Sequence, residues 1–185
     1  MTKRSPWTKA LHAVLLLAVA HQLLLVGFVE GPQDDSSGNA FFAWHRLVGL
    51  VTLGIVTTFW LWAIVRQSES AIGALFPWLS PPRLRSLWRD LRAHVNALRQ
   101  SRLPYANKSA LASATHGLGL LAVLAMAGSG AIMAVTGAFG GTVLQIHKLL
   151  ANLMWAYVIA HAGIALLHQM RGHDVLQRMF GSRRG

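Results

Sequence analysis

The stretch LQIHKLLANLMWAYVIAHAGIALLHQM, residues 144–170, decides how this chain folds. It is long and apolar enough for a membrane-spanning helix, yet it carries His147 and His161, fourteen residues apart. At ~100° and ~1.5 Å per residue, that spacing puts both imidazoles on nearly one helix face, about 21 Å apart. A hydrocarbon core is roughly 30 Å thick, so one helix offers a ligand near each side of it. Imidazole inside a membrane is costly and is usually kept for function.

Three further stretches, 9–29, 41–65 and 111–136, have the same apolar character. Of 185 residues, 54% are hydrophobic and 12% charged, which is the balance of a membrane protein rather than a water-soluble one. Four spans leave little for a separate soluble unit, so residues 1–185 read as a single membrane domain: an all-α, transmembrane four-helix up-down bundle. The first stretch follows a basic N-terminus as a secretory signal does. It runs too long for a signal core, however, and residues 26–30 offer a poor small-residue cleavage site, so it reads as a retained helix.

The net charge of +11 is distributed along the chain in a way that argues against nucleic acid. Lys3, Arg4 and Lys9 precede the first span. Arg66, Arg83, Arg85, Arg89, Arg92, Arg99, Arg102 and Lys108 fill the 66–110 connection, and Arg171, Arg178, Arg183 and Arg184 follow the fourth span. All three groups fall on one side of an up-down bundle. The opposite loops, 30–40 and 137–144, contain neither Lys nor Arg. The positive-inside rule then places both termini in the cytoplasm, and the membrane is expected to be the bacterial inner membrane. Lipid headgroups are the expected partners of this charge.

Depth sorts the histidines. His45 and His147 lie near the outer end of their helices; His12, His116 and His161 lie toward the cytoplasmic end. Matching by depth pairs His45 with His147, and His161 with either His12 or His116. Each pair bridges two helices, the way bundles build cofactor sites. The chain has no cysteine, which excludes iron–sulfur clusters and thioether-attached haem. Histidine is a common axial ligand of haem iron, so two non-covalent b haems, stacked across the bundle, are expected. Arg46 follows His45 and Lys148 follows His147; basic side chains so placed suit haem propionates, or they reach to the interface as solitary snorkelling cations.

His21 faces away from His12 and reads as a hydrogen-bonded bundle histidine or part of a quinone pocket near His12 and His161. His168 reads as an interfacial or propionate-contacting residue, and His94 and His173 as solvated. Gly49, Gly54, Gly117, Gly119, Gly128 and Gly130 allow a macrocycle or a neighbouring helix to come close. In the connection, Pro77, Pro81 and Pro82 rule out one continuous helix. Beyond them Leu84, Leu87, Trp88, Leu91, Val95 and Leu98 recur at helical spacing among arginines, a basic amphipathic helix suited to the inner leaflet or to a partner subunit.

The run from His147 to His168 resembles the fourth helix of prokaryotic cytochrome b561 proteins. Residues 87–107 resemble the connection between helices two and three in the membrane cytochrome b subunits of formate dehydrogenases and nickel–iron hydrogenases. The resemblance implies that the fourth helix gives one ligand to each of two b haems, and that helices one and two give the others: His161, His147, His12 and His45, with His116 the alternative to His12. It also implies electron transfer across the membrane between the quinone pool and an extracytoplasmic redox protein or dehydrogenase subunit. A stand-alone superoxide:quinone oxidoreductase of the same family is a second expectation. A metal-ion transporter is a third, disfavoured by few intramembrane acids and no matched broken helices.

Overall fold

The computed structural model describes residues 5–33, 36–66, 72–100, 102 and 109–180. Lys3, Arg4, Lys108, Arg183, Arg184 and the 103–107 part of the family-like connection lie outside them. Four long helices carry the architecture: α1 (Pro6–Leu25), α2 (Ala40–Val65), α5 (Ala110–Thr136) and α6 (Gly141–Met170). All four are long and apolar enough to cross a membrane. Between α2 and α5 come α3 (Ile72–Leu75), a 3-10 turn at Pro77–Leu79 and α4 (Pro81–Arg99); α7 (Val175–Phe180) follows α6.

Helix starts are set by short polar side chains that accept from first-turn amides. Ser5 accepts from the Thr8 amide just before Pro6, Asn39 from Phe42 and Ser109 from Ala112. α5 ends on Gly137, whose φ of 69° is the left-handed conformation glycine adopts without a Cβ clash. α6 begins at Gly141, three residues before the expected start at 144. Pro81 and Pro82 open α4, where their missing amides cost nothing, so the expected amphipathic helix forms after the break rather than through it.

Side-chain contacts fix the relative directions of the spans. Thr8 near the start of α1 accepts from Trp62 Nε1 (2.9 Å) and Arg66 Nη1 (3.0 Å) at the end of α2, while Gln22 late in α1 reaches His45 early in α2. Phe42 at the start of α2 meets Phe139 just beyond α5, and Ser129 late in α5 meets His147 early in α6. Neighbouring spans are therefore antiparallel, an up-down bundle as expected. One end carries the 29–39 and 137–140 turns; the other carries the α3–α4 connection.

The core is built around α5. Its buried row, Ala114, Gly117, Gly119, Leu120, Val123, Met126, Ala127, Ser129 and Met133, packs between α2 on one side and α6 on the other. Leu15, Val19, Leu23, Val56, Phe59 and Ala63 complete the centre from α1 and α2. Small residues let backbones approach where lipid supplies no hydrophobic drive for helix association. At Gly117 the approach is closest, because a Cβ there would run into the Leu75 carbonyl of α3. By contrast α6 packs on α5 and α7, with Met154 its only buried residue among those described, and it makes no comparable packing with α1 or α2.

Asp90 of α4 was not foreseen as structural. Its Oδ2 accepts from Ser109 Oγ (3.0 Å), the Ala110 amide (2.6 Å) and the Leu111 amide (3.3 Å), capping the positive end of α5 with a carboxylate. Gly117→Ala should force α3 off α5 and cost about 1–3 kcal/mol, as overpacking does; an earlier loss of helical circular dichroism in a denaturant titration in detergent checks it.

Candidate functional site

Two histidine clusters sit at opposite ends of the bundle, each joining α6 to a helix it does not otherwise pack against. At the turn end, His45 of α2 faces His147 of α6 with ring centres 6.2 Å apart and planes at 90°. At the connection end, His12 of α1 faces His161 of α6 at 6.5 Å. His116 of α5 joins this second cluster, 5.0 Å from His161 and 6.4 Å from His12. The candidate ligand atoms of His12, His116 and His161 all lie within 4.8 Å of one another. All five rings are half-buried. The depth matching thus brings together the residues expected to meet.

Metal-to-imidazole bonds of about 2.0 Å put two nitrogens on opposite sides of one metal about 4 Å apart, and their ring centres roughly 6 Å apart. The His45–His147 and His12–His161 spacings agree with that figure. The His116–His161 centres lie closer, at 5.0 Å.

Hydrogen bonds determine which ring nitrogen can act as a ligand. His147 Nδ1 lies 3.0 Å from the Met126 carbonyl and 2.9 Å from Ser129 Oγ, and Ser129 Oγ itself donates to Met126 O (2.8 Å). A carbonyl only accepts, so Nδ1 carries the proton and Nε2 of the neutral ring keeps its lone pair. Gly130 gives His147 room: a Cβ there would lie 3.4 Å from the ring. His161 stacks on Tyr157, centres 5.4 Å apart and planes within 8°, and Tyr157 is held by donating to the Thr115 carbonyl (3.2 Å). Gly119 leaves space for that phenol. His45 Nδ1 is buried without a hydrogen-bond partner in the structure. The His45 carbonyl accepts from Gln22 Nε2 (2.8 Å), and this amide occupies the space beside Gly49.

The remaining expectations divide. Arg46 is exposed, its guanidinium 5.8 Å from the Phe42 ring centre and 5.6 Å from that of Phe139; Lys148 is exposed one residue beyond His147. His21 accepts from Trp44 Nε1 (3.1 Å), so it is a hydrogen-bonded bundle histidine at the His45 end. About nine residues of helix separate it from His12, placing it toward the other end of α1. His94, expected to be solvated, is half-buried and donates to the Asp90 carbonyl (2.7 Å). Ser129, Tyr157 and Gln22 were missed. Their only advance signal is a polar side chain within an apolar span.

The family model described as prokaryotic cytochrome b561 matches residues 3–182. The chain belongs to that family. It is a multi-pass membrane cytochrome of the b type, a haem b protein of electron transfer. No curated protein and no solved structure shows significant similarity to it.

Proposed function

We propose that the chain is a di-haem b-type cytochrome that carries electrons across the bacterial inner membrane, between an extracytoplasmic redox partner and the quinone pool. The observation that carries this reading is the pair of facing imidazole sets on one helix, His147 with His45 and His161 with His12, at opposite ends of the span. On this reading the whole chain is one membrane cytochrome domain with both termini cytoplasmic. The turn end, free of Lys and Arg in its loops, then faces outward.

Haem iron supplies one-electron redox chemistry. The residues supply position and environment. His45 and His147 are the outer ligand pair, and His12 and His161 the inner pair. His12 would hold the inner haem together with His161, their ring centres 6.5 Å apart, with His116 the alternative at 5.0 Å from His161. The Met126 carbonyl and Ser129 hold His147 with Nε2 turned to bind. Tyr157 holds the plane of His161. Arg46 and Lys148, at the outer end, are placed to neutralise propionates by charge-assisted contacts. The lipid-facing apolar surface excludes water from both sites. Such a chain works as the electron-transfer subunit of an oxidoreductase, and the soluble partner docks at the outer end.

The pyridine haemochrome assay should return about two b haems per purified chain. His147→Ala should lose one haem and His161→Ala the other, giving about one each, while His116→Ala keeps both. Two haems retained by both ligand variants would overturn the assignment. Ser129→Ala removes one of two acceptors from the His147 Nδ1 proton and leaves the ligand less electron-rich. A redox titration should show the midpoint potential of one haem moving upward with the other unchanged.

A further inference from the structure

The basic helix α4 stands outside the electron-transfer site, and its three faces are chemically distinct. At ~100° per residue, Leu84, Leu87, Trp88, Leu91, Val95 and Leu98 fall within an arc of roughly 100°. Four of these remain open: Leu84 is 43% exposed, Trp88 56%, Val95 41% and Leu98 59%. One flank carries Asp90, the only carboxylate of α4, and this is consumed by the first turn of α5. The other flank carries Arg85, Arg89 and Arg92. These three, with Pro82 and Trp88, form one continuous open face of α4.

The Asp90 clamp fixes where this helix sits. Asp90 is the tenth of nineteen residues in α4, and Ala110 is the first residue of the α5 span, so the middle of α4 is tied to the level at which the chain enters the membrane. At that level the apolar phase available to an exposed Leu–Trp–Val row is the acyl region, and the phosphates of the leaflet lie just above it. An arginine flank adjoining such a row is the arrangement of an interfacial helix. Guanidinium also suits phosphate, since it donates two parallel hydrogen bonds.

We propose that α4 is a membrane-surface helix and that its exposed face of Arg85, Trp88, Arg89 and Arg92 binds the headgroup phosphate of an anionic phospholipid. The apolar row enters the acyl boundary beneath it. Charge selects the lipid: three guanidinium groups, with the one acid of the helix turned away to α5, favour a headgroup of net negative charge over a zwitterion. The site is independent of haem ligation, and its test does not use electron transfer.

The full chain, purified in a nonionic detergent, is titrated with phosphatidylglycerol or with phosphatidylcholine and read by native mass spectrometry. Phosphatidylglycerol should remain bound and phosphatidylcholine should not. The triple variant R85Q/R89Q/R92Q should bind phosphatidylglycerol about 100-fold more weakly, at roughly a factor of five per arginine, with its circular dichroism unchanged. R171Q, a basic residue off α4, should bind as the parent does. Inorganic phosphate at millimolar concentration should fail to displace the lipid, because it brings no acyl chains. Equal retention of both lipids would overturn the proposal, as would an unchanged triple variant. Loss of a co-purifying protein from that variant, with lipid still bound, would assign α4 to a partner subunit instead.

Discussion

The structure depends on how α5 grips α6. Two cross-helix hydrogen-bonding sets hold the pair: Ser129 and the Met126 carbonyl at His147, and the Thr115 carbonyl at Tyr157. Each set also orients an imidazole, directly at His147 and through a stacked phenol at His161. Packing and function therefore share the same contacts. Small residues make the grip possible, since Gly119 and Gly130 leave room for the phenol and the imidazole. Polar groups in hydrocarbon must find partners within the protein, and at Ser129 and Tyr157 the partners found also aim a histidine.

Much of this was legible beforehand. The four spans are forced by length and hydropathy, and their observed helix bounds differ from those expected by four residues or fewer. The pairing of His45 with His147 follows from charge asymmetry and an up-down path, because those two rules fix depth, and depth leaves few partners. The inner cluster was legible only as a choice. His12 and His116 share a depth, and no periodicity argument separates helices that converge on one point; in the structure both rings face His161, with centres 6.5 and 5.0 Å from it.

The supporting residues were hidden for different reasons. Ser129 lies in a Gly-Ser-Gly run that reads as packing, and its partner is 18 residues away across a turn. Asp90 sits among arginines in a helix whose pattern speaks only of a membrane surface, so its engagement with the start of α5 depends on tertiary placement. His21 and Trp44 look like an orphan histidine and a belt tryptophan until the antiparallel register of α1 and α2 brings them together. In each case a residue type was readable and its partner was not.

The one-sided attachment of α6 bears on how such a protein is assembled. With α2 packed against both α1 and α5, and α6 held along α5 and α7 rather than on α1 or α2, the last span can dock or lift without dismantling the other three. A flat, rigid cofactor need not thread between helices already closed around it. On the proposed ligand assignment it would meet His12 or His45 on the wall of the earlier spans first, and α6, bringing His147 and His161, would close over it afterwards.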